Sequence, residues 1–151
     1  MLKGKTALVT GSTRGIGEAA ARTLAAQGCN IMMNGFGDAD DIEAKRAQIE
    51  AESGSTLRYH DADLSDEKQL DDLVDCAEAA FGGIDILVNN AVIRYFHTVD
   101  DFDRDNWRHA LSVNVTAPFF LMQRVLPGMR KRGWGRIINM ASVLGLGARG
   151  G

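Results

Sequence analysis

A glycine-rich stretch near the start of the chain, T-G-S-T-R-G-I-G over residues 10–17, constrains the fold more than any other part of the sequence. It follows a short apolar run, Thr6–Val9, and opens an alanine-rich segment with helical spacing. A strand that ends in glycines and restarts as a helix is typical of a phosphate-binding turn, because the helix N–H groups and dipole then face an anion. Gly11 would permit the tight turn, Gly15 the approach of a ligand, and Gly17 close packing of helix on strand. The spacing G-x-x-x-G-x-G also suits a turn without a ligand, and only its position after the first strand favours a nucleotide site.

Short apolar runs alternate with helical segments along the whole chain. The sequence predicts strands over residues 5–10, 30–34, 56–60, 84–88 and 136–140. It predicts helices over residues 16–27, 38–52, 65–81 and 106–131. We expect Ile16, Ala20, Thr23 and Leu24 to share one face of the first helix, and Ser65 to cap the third. Strict alternation with continuous apolar strands predicts an α/β fold, a Rossmann-type doubly wound parallel sheet with five strands, in one domain over residues 1–151.

Composition and charge exclude several classes of function. The 17 basic and 20 acidic residues give a net charge of −3, which argues against a nucleic-acid partner. No apolar run approaches the length of a membrane span, and no stretch is typical of a signal peptide. Two isolated cysteines fit a reducing compartment, so we expect a cytoplasmic protein without a membrane partner. We assign no metal site, because the histidines are scattered and the acidic run at 101–105 lacks the glycine and glutamate of a calcium loop.

Residues that follow the first three predicted strands would lie at the carboxyl ends of the strands, where doubly wound folds bind ligands. After the second strand, a carboxylate would bind ribose hydroxyls and a basic residue would accept a 2′-phosphate, but Gly35 and Phe36 supply neither. Arg14 in the glycine turn could reach a 2′-phosphate or point to solvent. After the third strand, Asp63 and Leu64 suit an adenine ring, although a plain loop carboxylate is the simpler interpretation of Asp63 alone.

The later strand ends carry polar residues with open roles. Asn89 and Asn90 follow the fourth strand and suit either a ribose or an asparagine-rich turn. Asn114 precedes Pro118 by one helical turn, so its carbonyl loses a partner and could hold a water, unless the bend serves packing alone. Ser142 follows the fifth strand, where it could donate a hydrogen bond to a bound carbonyl or cap the next element.

As a set, these segments resemble the short-chain dehydrogenase/reductase family. The matching segments are T-G-x-x-x-G-I-G at 10–17, Asp63, N-N-A at 89–91, Asn114, and I-N-M-A-S ending at Ser142. Five segments in register across the whole chain make this resemblance specific. Two segments, M-N-G-F-G-D at 33–38 and G-R-I-I-N-M-A-S at 135–142, further resemble the D-3-hydroxybutyrate dehydrogenase branch of the family.

The resemblance implies an oxidoreductase that binds a nicotinamide dinucleotide and interconverts a secondary alcohol and a ketone. The residues that it assigns to the pyrophosphate side are Gly11, Thr13, Gly15, Ile16 and Gly17. It places Phe36 beside the adenosine and Asn90 near the nicotinamide and its ribose. It places Asp63 and Leu64 at the adenine. The G-F-G-D segment favours NAD as the cofactor, whereas Arg14 leaves NADP as the alternative.

The resemblance also implies roles on the substrate side of the site. Ser142 would orient the reacting carbonyl, and Asn114 would hold a water in a proton relay. In the hydroxybutyrate branch a glutamine and a histidine bind the substrate carboxylate, and Arg94 and Leu144 stand at those positions here. Arg94 could pair with a carboxylate or be solvated, while Leu144 removes a polar contact. Val92 stands where the family usually has a glycine.

The family's acid/base pair, Tyr-x-x-x-Lys, would follow Ser142, but the sequence ends at Gly151. Tyr59 and Tyr95 lack a lysine at the matching spacing. The later strands and the helix that bears the Tyr–Lys pair are likewise missing. We therefore consider two interpretations: part of a longer enzyme, or an inactive truncated product. A non-catalytic dinucleotide-binding module is the alternative function.

The resemblance further implies a homo-oligomer, since full-length members form tetramers. In the family the long helix packs at a subunit interface, and we expect it to leave an apolar stripe uncovered in this chain. The residues of that stripe would be Leu121, Met122, Val125 and Met129. An uncovered apolar stripe would favour association with other protein chains, and the free edge of the fifth strand would favour it further.

Overall fold

The structure, a computed structural model, describes residues 2–143 and contains strands joined by helical crossovers. The strands are β1 (Thr6–Val9), β2 (Asn30–Asn34), β3 (Leu57–His60), β4 (Ile86–Asn89) and β5 (Arg136–Asn139). The helices are α1 (Gly15–Ala26), α2 (Ala39–Ser53), α3 (Glu67–Phe81), α4 (Arg104–Leu111) and α5 (Ala117–Lys131), with a π-helical turn over Ser112–Thr116. All strand pairs are parallel, in the order β3-β2-β1-β4-β5. The predicted doubly wound α/β fold is therefore confirmed.

Both faces of the sheet are buried, which explains why its central strands are continuously apolar. Successive residues of a strand point to opposite faces. Leu8 and Leu87 pack with α3 and α5 on one face, whereas Val9 and Ile31 pack with α1 and α2 on the other. Full burial of one such side chain contributes about 1.5–3 kcal/mol to stability.

The strand order creates a crevice beside β1. Leu8 is paired with Met32 of β2 on one side and with Leu87 of β4 on the other. The chain runs outward from β1 to β2 and β3, then crosses back to place β4 on the opposite side of β1. In doubly wound sheets such a reversal leaves an opening at the carboxyl ends of the strands, where ligands bind.

The residues predicted to share one face of α1 are not the ones that the sheet buries most deeply. Its buried residues are Gly17, Ala21 and Ala25, whereas the side chain of Ile16 is 67% exposed. Glycine and alanine let the helix axis come close to the sheet, so the smallest residues face inward. Ile16 is consequently left at the mouth of the crevice.

The start of α3 also differs from the prediction. Asp66, not Ser65, is the N-cap, and its carboxylate accepts a hydrogen bond from the Lys68 N–H at 2.9 Å. The N–H and hydroxyl of Ser65 both donate to Asp63 Oδ1, at 2.8 and 2.7 Å. Ser65 therefore organises the loop after β3 and cannot cap the helix.

The long predicted helix over 106–131 is interrupted by the π-helical turn at Ser112–Thr116, in which the Ala117 N–H donates to the Ser112 carbonyl. This turn ends two residues before Pro118 and is the irregularity that a proline without an N–H favours. No helix within residues 2–143 combines the length and apolar character that a bilayer span requires.

The expected uncovered stripe on this helix is wrong. Leu121, Val125 and Met129 are buried against α3 in the chain's own core, and Met122 is partly buried beside them. The face that is exposed instead carries apolar side chains at a spacing of four residues. These residues are Trp107, Leu111, Val115 and Phe119, and their exposed fractions lie between 41% and 59%. Hydrophobic periodicity could not tell which of the two faces α3 covers.

Candidate functional site

A cavity of about 520 Å³ opens where β1, β2, β3 and β4 end, in the crevice beside β1. Its wall consists of Gly11, Thr13, Arg14, Ile16, Asn34, Gly35, Phe36, Ala62, Asp63, Leu64, Asn90, Ala91, Val92, Ile93, His109 and Val113. The structure thus brings together every predicted cofactor residue except Gly15 and Gly17, which lie in the adjoining turn.

The three glycines of the turn serve different purposes. Gly11 has φ +63°, and a Cβ there would lie 2.9 Å from the Ala91 Cα, so both the turn and its packing require glycine. A Cβ on Gly17 would lie 2.2 Å from the Gly11 carbonyl oxygen. Gly17 therefore packs against the turn, not against the strand as predicted. Gly15 has φ +59° and open space around its Cβ position, as a close ligand contact requires.

The first turn of α1 lacks the side-chain cap that three other helices have. Arg14 is its N-cap residue and makes no capping hydrogen bond. By contrast, Asp38, Asp66 and Asp103 cap α2, α3 and α4 with their carboxylates. The N–H groups at the start of α1 are thus left for a ligand beside the cavity, and the helix dipole favours an anion there.

Asn90 ties the end of β4 to the glycine turn. Its Nδ2 donates to the carbonyl oxygens of Thr10 and Gly11, at 3.0 and 3.1 Å. The N–H groups of Asn90 and Ala91 donate in turn to Thr10 Oγ1, at 3.0 and 3.1 Å. Since both amide hydrogens of Asn90 are occupied, its Oδ1 is the atom that it can offer to a ligand.

Asn34 joins the ends of three strands and was missed by the sequence analysis. The Ser12 N–H donates to its carbonyl at 2.7 Å, and its Nδ2 donates to the carbonyls of His60 and Ala62, at 3.1 and 3.0 Å. Its buried Oδ1 has no partner within residues 2–143. The signal that could have identified it is its place as the last residue of the second apolar run.

Asp63, Leu64 and Phe36 line the end of the cavity near β2 and β3. Asp63 uses one carboxylate oxygen to hold Ser65, while Leu64 is 7% exposed and anchored in the core. Phe36 is 64% exposed at the mouth, and its carbonyl accepts a hydrogen bond from Thr13 Oγ1 at 2.9 Å. A carboxylate acceptor in a wall that also carries two apolar side chains suits a planar ring with an exocyclic amine.

A charged network supports the glycine turn from outside. Lys45 Nζ donates to the Thr13 carbonyl at 2.5 Å and lies 2.9 Å from Glu18 Oε2, while Arg22 Nε lies 3.0 Å from Glu18 Oε1. Burial opposes ionisation of Glu18, but the hydrogen bonds and charges of Lys45 and Arg22 outweigh it, so the pKa of Glu18 lies below its usual value.

Glu18→Gln is expected to remove stability that the wild type has only when Glu18 is ionised. Because the folded pKa is lowered, this stability is complete above the unfolded pKa of 4.5 and is lost as the pH falls through the folded pKa. The difference in Tm between wild type and variant should therefore be constant from neutral pH down to about 4.5 and shrink as the pH falls further, which thermal unfolding monitored by circular dichroism measures. A difference that stays constant below pH 4.5 would contradict this.

Asn114 holds the loop after β4 against the long helix. Its Oδ1 accepts a hydrogen bond from the Ile93 N–H and its Nδ2 donates to the Ile93 carbonyl, both at 2.9 Å. The loop that follows β4 is thereby placed along the cavity. Val92 stands where the family usually has a glycine. Its backbone does not require one, because no non-glycine residue between 2 and 143 has a positive φ.

The remaining predicted residues lie farther along the strand ends. Ser142 is exposed and follows Met140, whose N–H donates to the Asn89 carbonyl at 2.9 Å. Arg94 is exposed and does not belong to the cavity wall. Leu144 lies outside the described residues. Their roles stay predictions.

His109 and Val113 are members of the wall that the sequence did not indicate. They lie on the long predicted helix, where Val113 packs in the core beside Leu64 and His109 meets the loop after β4. His109 Nδ1 lies 2.8 Å from Tyr95 Oη. Across the described residues, no group of three His, Cys, Asp or Glu side chains is arranged to hold a metal ion.

Two curated relatives of this chain are D-beta-hydroxybutyrate dehydrogenases. The chain is 50% identical over 146 residues to a D-beta-hydroxybutyrate dehydrogenase from Cupriavidus necator, covering 97% of this chain and 56% of that protein. It is 43% identical to the enzyme of the same name from Rhizobium meliloti, covering 94% of this chain and 55% of that protein. The chain thus spans about half the length of these relatives.

Solved structures have the same fold. A metagenomic short-chain oxidoreductase in complex with NADP superimposes with a TM-score of 0.91 at 32% identity, over 98% of this chain and 66% of that one. L-sorbose reductase from Gluconobacter frateurii, complexed with NADPH and L-sorbose, gives a TM-score of 0.88 at 32% identity, over 93% of this chain and 53% of that one. The family model for short chain dehydrogenases matches residues 5–150. The chain therefore belongs to the short-chain dehydrogenase family.

Proposed function

We propose that the protein containing this chain is an NAD(P)-dependent oxidoreductase that interconverts a secondary alcohol and its ketone, with a substrate similar to 3-hydroxybutyrate and acetoacetate. The observation that carries the proposal is the cavity beside β1, into whose rim the uncapped start of α1 opens. The two hydroxybutyrate dehydrogenases among the relatives support the substrate class. Residues 1–151 form the dinucleotide-binding domain in this proposal.

The residues present fit a nicotinamide dinucleotide. The N–H groups of Gly15 and Ile16 would hold the pyrophosphate, and Asp63 would accept a hydrogen bond from the adenine amine beside Leu64. Asn90 Oδ1 would bind the nicotinamide ribose. When bound, the dinucleotide supplies or accepts the hydride.

We propose NAD as the cofactor and NADP as the alternative. Phe36 stands where a basic residue would accept a 2′-phosphate, which favours NAD. Arg14 is exposed at the cavity wall and is the side chain that could bind that phosphate. The two solved relatives named above contain NADP and NADPH.

On the substrate side, Ser142 would donate a hydrogen bond to the reacting carbonyl. Asn114 would position the loop after β4 through Ile93 and hold a water for proton transfer. Arg94 and Leu144 are proposed substrate contacts by their place in the family pattern. The Tyr–Lys acid/base pair that the resemblance implies would belong to the rest of the full-length protein.

We also propose that the protein is a cytoplasmic homo-oligomer, a tetramer by analogy with the family. The exposed stripe of Trp107, Leu111, Val115 and Phe119 is an apolar surface of the kind that mediates association. Cys29 and Cys76 are free thiols, which fits a reducing compartment.

The test is a fluorescence titration of the full-length protein with NADH and NADPH, followed by a panel of secondary alcohols and 3-hydroxy acids. Binding of NADH together with turnover of a 3-hydroxy acid is the expected result. Binding without turnover of any substrate would indicate a dinucleotide-binding module instead. Absence of binding to either dinucleotide would contradict the proposed site.

A further inference from the structure

Lys45 lies on α2 but reaches the glycine turn at the start of α1. Its Nζ donates to the Thr13 carbonyl at 2.5 Å and lies 2.9 Å from Glu18 Oε2. The side chains of Lys45 and Glu18 are both partly buried. Lys45 is not a member of the cavity wall, so its short-range effect on a ligand in the cavity has to pass through the turn.

The last two carbonyl groups before α1 both accept hydrogen bonds from the protein. The Arg14 carbonyl accepts from the Glu18 N–H at 3.3 Å, as the first bond of a helix requires. The Thr13 carbonyl lies one residue earlier and accepts from Lys45 instead. A carbonyl oxygen carries a partial negative charge, so it would repel an anion that it faced. Lys45 thus occupies a carbonyl that the helix itself does not.

This contact determines how the peptide between Thr13 and Arg14 is oriented. No peptide bond within residues 2–143 is cis, so the Thr13 C=O and the Arg14 N–H point in opposite directions. Lys45 draws the carbonyl toward α2 and thereby turns the N–H away from α2. The Arg14 N–H has no acceptor within residues 2–143, and Arg14 belongs to the cavity wall. This N–H is therefore left for a ligand, next to the uncapped first turn of α1.

The side chain of Thr13 is held independently of its carbonyl. Its Oγ1 donates to the Phe36 carbonyl at 2.9 Å, and the residue is buried. The Ser12 N–H before it donates to the Asn34 carbonyl at 2.7 Å. Loss of Lys45 would consequently leave the turn attached to the loop after β2, and would release only the peptide that follows Thr13.

We propose that Lys45, held in place by Glu18, is a positioning residue for dinucleotide binding. It fixes the peptide after Thr13 so that N–H groups, and not a carbonyl oxygen, face the pyrophosphate. This inference rests on the proposed function, which places the pyrophosphate at the start of α1. Without Lys45 the Thr13 carbonyl is free to turn toward the phosphate oxygens and repel them. Affinity for ligands with phosphates therefore depends on Lys45, whereas affinity for adenosine does not.

The test measures the affinity of the full-length protein for NADH by fluorescence titration, and for ADP and adenosine by displacement of NADH. Lys45→Met keeps an unbranched side chain but has no N–H donor. It should weaken binding of NADH and ADP about five- to tenfold, the effect of about one hydrogen bond. The affinity for adenosine, which lacks the pyrophosphate, should be unchanged. Lys45→Arg keeps the charge and the N–H donors and should restore part of the lost affinity.

Arg22→Met is the matched control. Arg22 also pairs with Glu18, through Nε at 3.0 Å, but its other partners are Gln48 and Glu52 of α2 and not the turn. This variant removes the same charge and a contact between the same helices, so it should leave all three affinities unchanged. The loss in Lys45→Met should also persist at high ionic strength, where long-range charge effects are screened. An equal loss in Arg22→Met, or a loss that disappears at high salt, would overturn the inference.

These measurements separate the inference from the proposed function. Suppose that the wild type binds NADH and oxidises a 3-hydroxy acid. If Lys45→Met then binds ADP as well as the wild type does, or weakens ADP and adenosine alike, the inference is wrong and the proposed function stands. If the wild type binds neither NADH nor ADP, both are wrong. If ADP affinity depends on Lys45 but no substrate is turned over, the inference holds and the proposed reaction is wrong.

Discussion

Gly17→Ala is expected to lower the free energy of unfolding by about 2–3 kcal/mol, although alanine is the better helix former. The new Cβ would lie 2.2 Å from the Gly11 carbonyl oxygen and 2.4 Å from Asn90 Nδ2. The Gly11 carbonyl belongs to the backbone of the turn and cannot move without disturbing the hydrogen bonds of Asn90. We therefore also expect weaker dinucleotide binding. Denaturant unfolding followed by circular dichroism measures the change.

Gly128→Ala is the matched control for this variant. Gly128 is also a helical glycine, but a Cβ there would meet the guanidinium of Arg132 at 3.0 Å, the far end of a flexible side chain. Alanine should be neutral or stabilising by up to about 1 kcal/mol at this position. If both variants change stability by the same amount, the close contact at Gly17 is not what requires glycine.

Gly15→Val is expected to abolish dinucleotide binding, with at least about a hundredfold loss of affinity. A Cβ at Gly15 meets no atom of the protein within 4 Å, so the branched side chain would occupy the space beside the start of α1. That is the space that the pyrophosphate needs in order to reach the helix N–H groups. Titration of the folded variant with NADH, followed by fluorescence, measures the loss.

Backbone strain at Gly15 has to be separated from this effect. Gly15 has φ +59°, where a side chain costs about 1–2 kcal/mol, and Gly54 at the end of α2 has φ +70° with equally open surroundings. Gly54→Val should therefore lose similar stability but keep its affinity for NADH. Unchanged affinity in Gly15→Val, or an equal loss in Gly54→Val, would count against the assignment of the turn as the phosphate site.

The sequence predicted strands and helices well where their ends depend on residues close together in the chain, such as helix caps and terminal glycines. The second strand was predicted with its observed bounds, and the helix over 38–52 differs by one residue at each end, because Asp38 caps it and Gly54 terminates it. The face predicted for α1 did not show which of its residues pack most closely on the sheet, because close packing selects the smallest residues and places Ile16 outside. The same limit applies to α5, where only the position of α3 shows that Leu121 is buried.

The site was predicted in part for the same reason. Asn90 directly follows β4 and Asp63 comes three residues after β3, so the rule for strand ends in parallel sheets finds both. His109 lies in the middle of a helix and Tyr95 in a loop. Their contact across 14 residues depends on how that loop packs against the helix.

The sequence by itself determined which segments become strands and helices, and that a glycine turn opens the first helix. These features follow from periodicity, capping and the freedom of glycine, all of which act over a few residues. Only the tertiary structure decided that β1 lies between β2 and β4, which brings Asn90 onto the Gly11 carbonyl, 79 residues earlier in the chain. That strand order is set by the simultaneous burial of both faces of the sheet, which cannot be predicted from the sequence of any single strand or helix.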